Sequence, residues 1–92
     1  MRTVDLAIYA DALAGEAASL AARVERARAR LRQAAIERAA RGDLAPATVV
    51  RLEALGLLGT RGDHVELTEL QDALEAVEEL QGWVERRLTE AA

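Results

Sequence analysis

Leu6, Ala10, Leu13, Ala17, Leu20, Val24, Ala27, Leu31 and Ala34 recur at alternating spacings of four and three residues. On a helix that spacing draws a heptad seam, with Leu mostly at one core position and Ala mostly at the other. It predicts one long helix over residues 4–41 whose apolar stripe needs a partner, and the small Ala positions let that partner approach closely. Thr3 is the expected N-cap, and Asp5 in the first turn suits the positive end of the helix dipole. Gly42 is the expected left-handed residue after the last turn. Gly15 sits opposite the seam, so the reading is one helix with a kink allowed there. About 38 residues at 1.5 Å each make a rod of roughly 57 Å. A compact 92-residue domain has a radius of gyration of about 12 Å and is only about 30 Å across. The rod should therefore overhang any globule built by the rest of the chain, and a second chain is the simplest cover.

Beyond Gly42 the pattern changes. Pro46 in a first turn, the apolar face Val49, Leu52 and Leu55, and a closing Gly56 predict a short helix over 46–55. Residues 57–67 read as a minimal hairpin, with strands Leu58 to Thr60 and Val65 to Leu67 around a Gly62-Asp63 turn. Thr68 with Gln71 three residues on reads as a capping box opening a third helix over 69–90. Its main seam runs Leu67, Leu70, Leu74, Val77, Gln81, Val84, Leu88. Beside it lies a second stripe of Ala73, Ala76, Leu80 and Trp83, which predicts cover on more than one side. Gln81 is the polar exception on the main seam, and the reading there is an amide reaching solvent near the end of a bundle. The expected fold class is all-α, a long-helix bundle in one domain over 1–92: two long helices, one short helix, a minimal β-hairpin and coiled-coil-like packing. The expected assembly is a dimer with interface residues Leu6, Leu13, Leu20, Val24, Leu31, Leu80 and Trp83.

Composition supports association. Tyr9 and Trp83 are the only aromatic residues, and an Ala-rich core buries little area against the entropy of ordering the chain. With no cysteine, a disulfide cannot compensate; the expected location is cytoplasmic. Asp5 and Asp11 interrupt the apolar start, so it reads as neither a signal peptide nor a membrane span. The net charge of −4 argues against a general nucleic-acid binder, yet the charge is uneven. Residues 23–41 hold seven Arg against Glu25 and Glu37, whereas residues 63–90 hold nine acids against Arg86 and Arg87. Opposite blocks on two helices suggest that the helices lie alongside each other, with Arg23, Arg28 and Arg30 facing Glu66, Glu78 and Glu85.

Candidate chemistry is sparse. His64 and Ser19 are single copies, and Lys and Cys are absent. A Ser/His/Asp arrangement would have to draw His64 from a turn and Ser19 from a packed rod. Glu66, Glu69, Asp72, Glu75 and Glu78 follow one another at steps of three, which drift about 60° per step and wind round a helix instead of lining one face. No Glu-x-x-His motif accompanies them, so no metal or cofactor is expected, and no catalytic residues are assigned. The helical chorismate mutases resemble the chain in helix count, but their sites combine Arg with Lys and Gln, and no Lys is present here.

Leu44 to Thr68, LAPATVVRLEALGLLGTRGDHVELT, resembles the second half of a winged helix-turn-helix domain. The resemblance implies a recognition helix from Pro46 to Leu55 with Thr48 and Arg51 facing DNA, Arg61 and His64 on the wing, and the last helix as a dimerisation element. The residues themselves favour another expectation: a non-enzymatic helical interaction or scaffold module that self-associates, or takes a helical protein partner, through the first seam.

Overall fold

The computed structural model describes residues 1–59 and 63–91. They form three helices in the order α1 (Thr3–Asp43), α2 (Pro46–Ala54) and α3 (His64–Ala91). α1 and α3 pack lengthwise against each other and antiparallel, because the start of α1 meets the end of α3. At the open end, Leu6 and Leu13 close around Val84, with Ala10, Val77, Leu80 and Leu88 packed beside them. Towards α2, Val24 and Ala27 close around Leu70, with Leu20, Leu67 and Leu74 alongside. Every position of the α1 seam from Leu6 to Ala34 is buried or half-buried. The seam thus exists as the spacing predicts, but its cover is α3 of the same chain.

The rest of the chain builds no globule for α1 to overhang. The molecule is a rod of 67 × 18 × 14 Å with a radius of gyration of 20.8 Å, not a globule. α3 contributes 28 residues, about 42 Å at the helical rise, and so follows α1 over most of its length. The far end of α1 is covered by the chain that returns from it. Glu37, buried on α1, accepts a hydrogen bond from the Gly59 N–H at 3.4 Å. Arg41 Nε lies 3.5 Å from a Glu53 carboxylate oxygen and ties α2 to α1.

Helix ends depart from the expected chemistry in four places. α1 begins at Thr3 itself, with Arg2 as N-cap and no side-chain cap; Arg2 Nε instead lies 3.5 Å from Asp5. Gly42 stays helical inside α1, and the chain leaves through Leu44 in an extended conformation, its N–H bonded to the Ala40 carbonyl at 2.9 Å. Gly56 does take the left-handed role, at φ 73°. It closes α2 with paired bonds from the Gly56 N–H to the Glu53 carbonyl and from the Leu57 N–H to the Leu52 carbonyl, a Schellman motif. α1 runs on through Gly15 as one helix.

The hairpin is the main correction. Val65 to Leu67 lie in the first turn of α3, and no strand occurs among the described residues; Thr60, Arg61 and Gly62 lie outside them. Asp63 explains the earlier start. Its Oδ1 accepts the Val65 N–H at 2.8 Å and its carbonyl accepts the Leu67 N–H, so Asp63 works as the N-cap. Thr68 sits one turn inside the helix and donates its hydroxyl to the His64 carbonyl at 2.9 Å. It caps nothing. Gln81 is half-buried on the seam, as its place near the end of the hairpin suggests.

Candidate functional site

A two-helix rod has only one line of contact to bury, so the second stripe of α3 is left beside it. Leu80, half-buried, and Trp83, 39% exposed, project from α3 toward Asp5, Leu6 and Tyr9 of α1 and toward Met1. Together these six residues line an open, mainly apolar groove of about 320 Å³ at the open end of the hairpin. Arg87 lies over the Trp83 ring, its guanidinium carbon 5.7 Å from the centroid, one helical turn further along α3. Further out on α1, Val4 and Ile8 are also exposed. The groove therefore lies on an apolar surface with a charged rim of Asp5 on one side and Arg87 on the other.

Leu6, Leu13 and Val24, expected to meet a second chain, are buried against α3, and Leu20 and Leu31 are half-buried along the same line. Among the expected interface residues, Leu6, Leu80 and Trp83 line the open groove, Leu6 as a buried side chain at its floor. Met1 and Tyr9 were not legible as part of it. Tyr9 sits three residues after Leu6 and one before Ala10, at the edge of the seam, and its place there does not tell which edge α3 leaves open.

Among the described residues the charge blocks meet between Arg30 and Glu66. Arg30 donates to Glu66 at 2.6 Å between α1 and α3, both partly exposed. Arg28 turns instead to Glu25 on its own helix at 2.7 Å. In the antiparallel register most α3 acids fall level with the Ala-rich first half of α1, so the Arg-rich stretch reaches past them toward α2. Glu66, Glu69, Asp72, Glu75 and Glu78 are all exposed, and no group of described carboxylates and histidine is arranged to hold a metal ion.

The chain matches no family model, no curated protein and no solved structure. Function must be read from the surface.

That surface also bears on the DNA reading. Thr48 and Arg51 are exposed on α2, but His64 is the first residue of α3 and the return strand of a wing is helical; Arg61 lies outside the described residues. The wing that the winged-helix resemblance implies is therefore not built from Val65 to Leu67. Ser19 lies level with about Leu74, ten residues along α3 from His64, a separation of roughly 15 Å along the helix. No described helix is long and apolar enough to cross a membrane.

Proposed function

We propose that the chain is a non-enzymatic helical interaction module that self-associates. The observation that carries this reading is the area left in water. A monomeric protein of 9.9 kDa ordinarily exposes about 5,200 Å², whereas this rod exposes 6673 Å². The excess, about 1,500 Å², exceeds the roughly 800 Å² that each partner contributes to a standard specific interface. Part of it is large apolar side chains: Ile8 is 65% exposed, and Tyr9 and Trp83 stand open beside it. Exposed apolar patches of this kind mark interaction surfaces on small proteins. The wide separation of the single serine and single histidine supports a role without catalysis.

The test is absolute mass by light scattering after size exclusion, across a concentration series. The expected result is a dimer of about twice the 9.9 kDa chain mass at micromolar concentration. A monomer that persists at several hundred micromolar, on the order of the weakest specific contacts, would overturn the reading.

A further inference from the structure

We infer that a second copy is recognised by a self-complementary order of charges along the groove side of the hairpin, and that it runs antiparallel about a two-fold axis level with residues 19–20 of α1. The inference rests on the self-association reading and adds its direction and register.

Two heptad lines border the groove. On α1, Tyr9, Glu16, Arg23 and Arg30 follow one another at steps of seven; on α3, so do Glu66, Ala73, Leu80 and Arg87. Residues seven apart drift only about 20° round a helix, so each set keeps to one flank. Both flanks lie on the same side of the hairpin: Tyr9 and Leu80 line the groove together, and Arg30 donates to Glu66 at 2.6 Å further along. That ion pair fixes the levels. With Arg30 beside Glu66, counting back by heptads puts Arg23 level with Ala73 and Glu16 level with Leu80. Glu16 and Arg23 are exposed, and neither has an ion pair among the described residues.

Along α1 the line reads aromatic, acid, base, base; along α3 it reads acid, small, large, base. A two-fold axis across the rod turns the second copy end for end and sets α1 over α1 and α3 over α3. With the axis level with the midpoints of both lines, each Glu16 meets the Arg23 of the other copy, and each Glu66 meets its Arg87. Tyr9 falls beside Arg30 of the other copy, an aromatic face for a cation, and Leu80 falls opposite its Ala73, a large side chain against a small one. Trp83, beside Leu80 in the groove, is covered by the same contact. Sliding the copies by one heptad in either direction moves the axis onto Glu16 or Arg23 and sets that residue against itself. A parallel pair, with its axis along the rod, sets α1 over α3 and leaves Glu16 opposite Leu80 and Arg23 opposite Ala73, so both charges are covered without a partner.

The overlap about this axis takes in residues 3–36 of α1, about 50 Å at the helical rise. Across the 18 Å width of the rod, that is a strip of roughly 900 Å² per copy, enough for a standard interface. Exposed ion pairs are individually weak, so they choose direction and register while the apolar side chains of the groove supply the contact.

The experiment measures dissociation constants by sedimentation for the wild-type chain, Glu16→Arg, Arg23→Glu, the double variant, and an equimolar mixture of the two single variants. Both positions are exposed, and Glu and Arg are similar helix formers, so far-UV circular dichroism should show wild-type helicity throughout. Each single reversal sets like charges together at two places and should raise the dissociation constant about tenfold or more. The double variant exchanges the members of each pair and should return to within about threefold of wild type. The mixture should form a heterodimer of similar affinity, since one chain then presents only Arg and the other only Glu at these positions. Single variants that dimerise as tightly as the wild type, or a mixture no tighter than either variant alone, would overturn this register while leaving self-association intact. A wild-type monomer would overturn both.

Discussion

Gly56 and Gly42 show how the same residue type serves opposite ends at two helix termini. Gly56 holds φ 73° after α2, a left-handed backbone that side-chain-bearing residues rarely adopt, and two hydrogen bonds depend on that turn. Gly42 lies in the last turn of α1 with helical geometry, and nothing stands within 4 Å of where its Cβ would be. Replacing Gly56 by Ala should therefore cost about 1 kcal/mol of stability, the strain of a left-handed non-glycine residue. Replacing Gly42 by Ala should add roughly 0.5 kcal/mol by removing backbone freedom from the unfolded chain. Chemical denaturation of the two variants side by side checks the pair: equal signs would mean that α1 ends at Gly42 after all. The sequence alone could not separate them, because a glycine beyond an apolar stripe looks the same whether the helix stops before it or passes through.

At the level of elements, the two long helices are legible because their seams persist for many turns and admit no other period. Leu6 to Ala34 and Leu67 to Leu88 each hold the three-four spacing throughout, and both seams are buried or half-buried along their whole length. Residues 63–68 were not legible for the opposite reason. Val65 and Leu67 alternate with polar neighbours over too few positions to tell a strand from a helical turn. Thr68-x-x-Gln71 competes with Asp63-x-x-Glu66, which has the same capping form one turn earlier. The earlier cap prevails because it adds a turn that brings Leu67 onto Leu70's cluster and Glu66 within 2.6 Å of Arg30. It follows that Asp63→Ala should lower stability by about 1 kcal/mol, as loss of an N-cap does, while Thr68→Ala should change it by less than about 0.5 kcal/mol. Thermal unfolding that ranks the two the other way would restore the hairpin reading. Of the candidate surface, Leu80 and Trp83 were visible as a second stripe. Tyr9 and Met1 were not, since which flank of a seam faces open water depends on how α3 rolls against α1, and no single-helix pattern records that.

At the scale of the whole molecule, the rod has two hydrophobic clusters strung along one line and no layer above or below them. Such an arrangement behaves as a zipper. Arg30 and Glu66 are 36 positions apart, while Leu6 and Val84, at the other end, are more than twice as far. Closing the longer loop first costs roughly 0.6 kcal/mol more for that doubling, so α1 and α3 should join at the α2 end and close toward the termini. Opening should run the other way, with the cluster around Val84 the first to part. The one tryptophan of the chain stands beside that cluster, so its fluorescence reports the last teeth to engage and the first to release. At a dilution where the chain is monomeric, indole emission should change several degrees below the loss of helical circular dichroism. Coincident transitions would show instead that the two clusters melt as one. Under the proposed self-association, a second copy seated beside Trp83 would act as the clasp that keeps the termini shut.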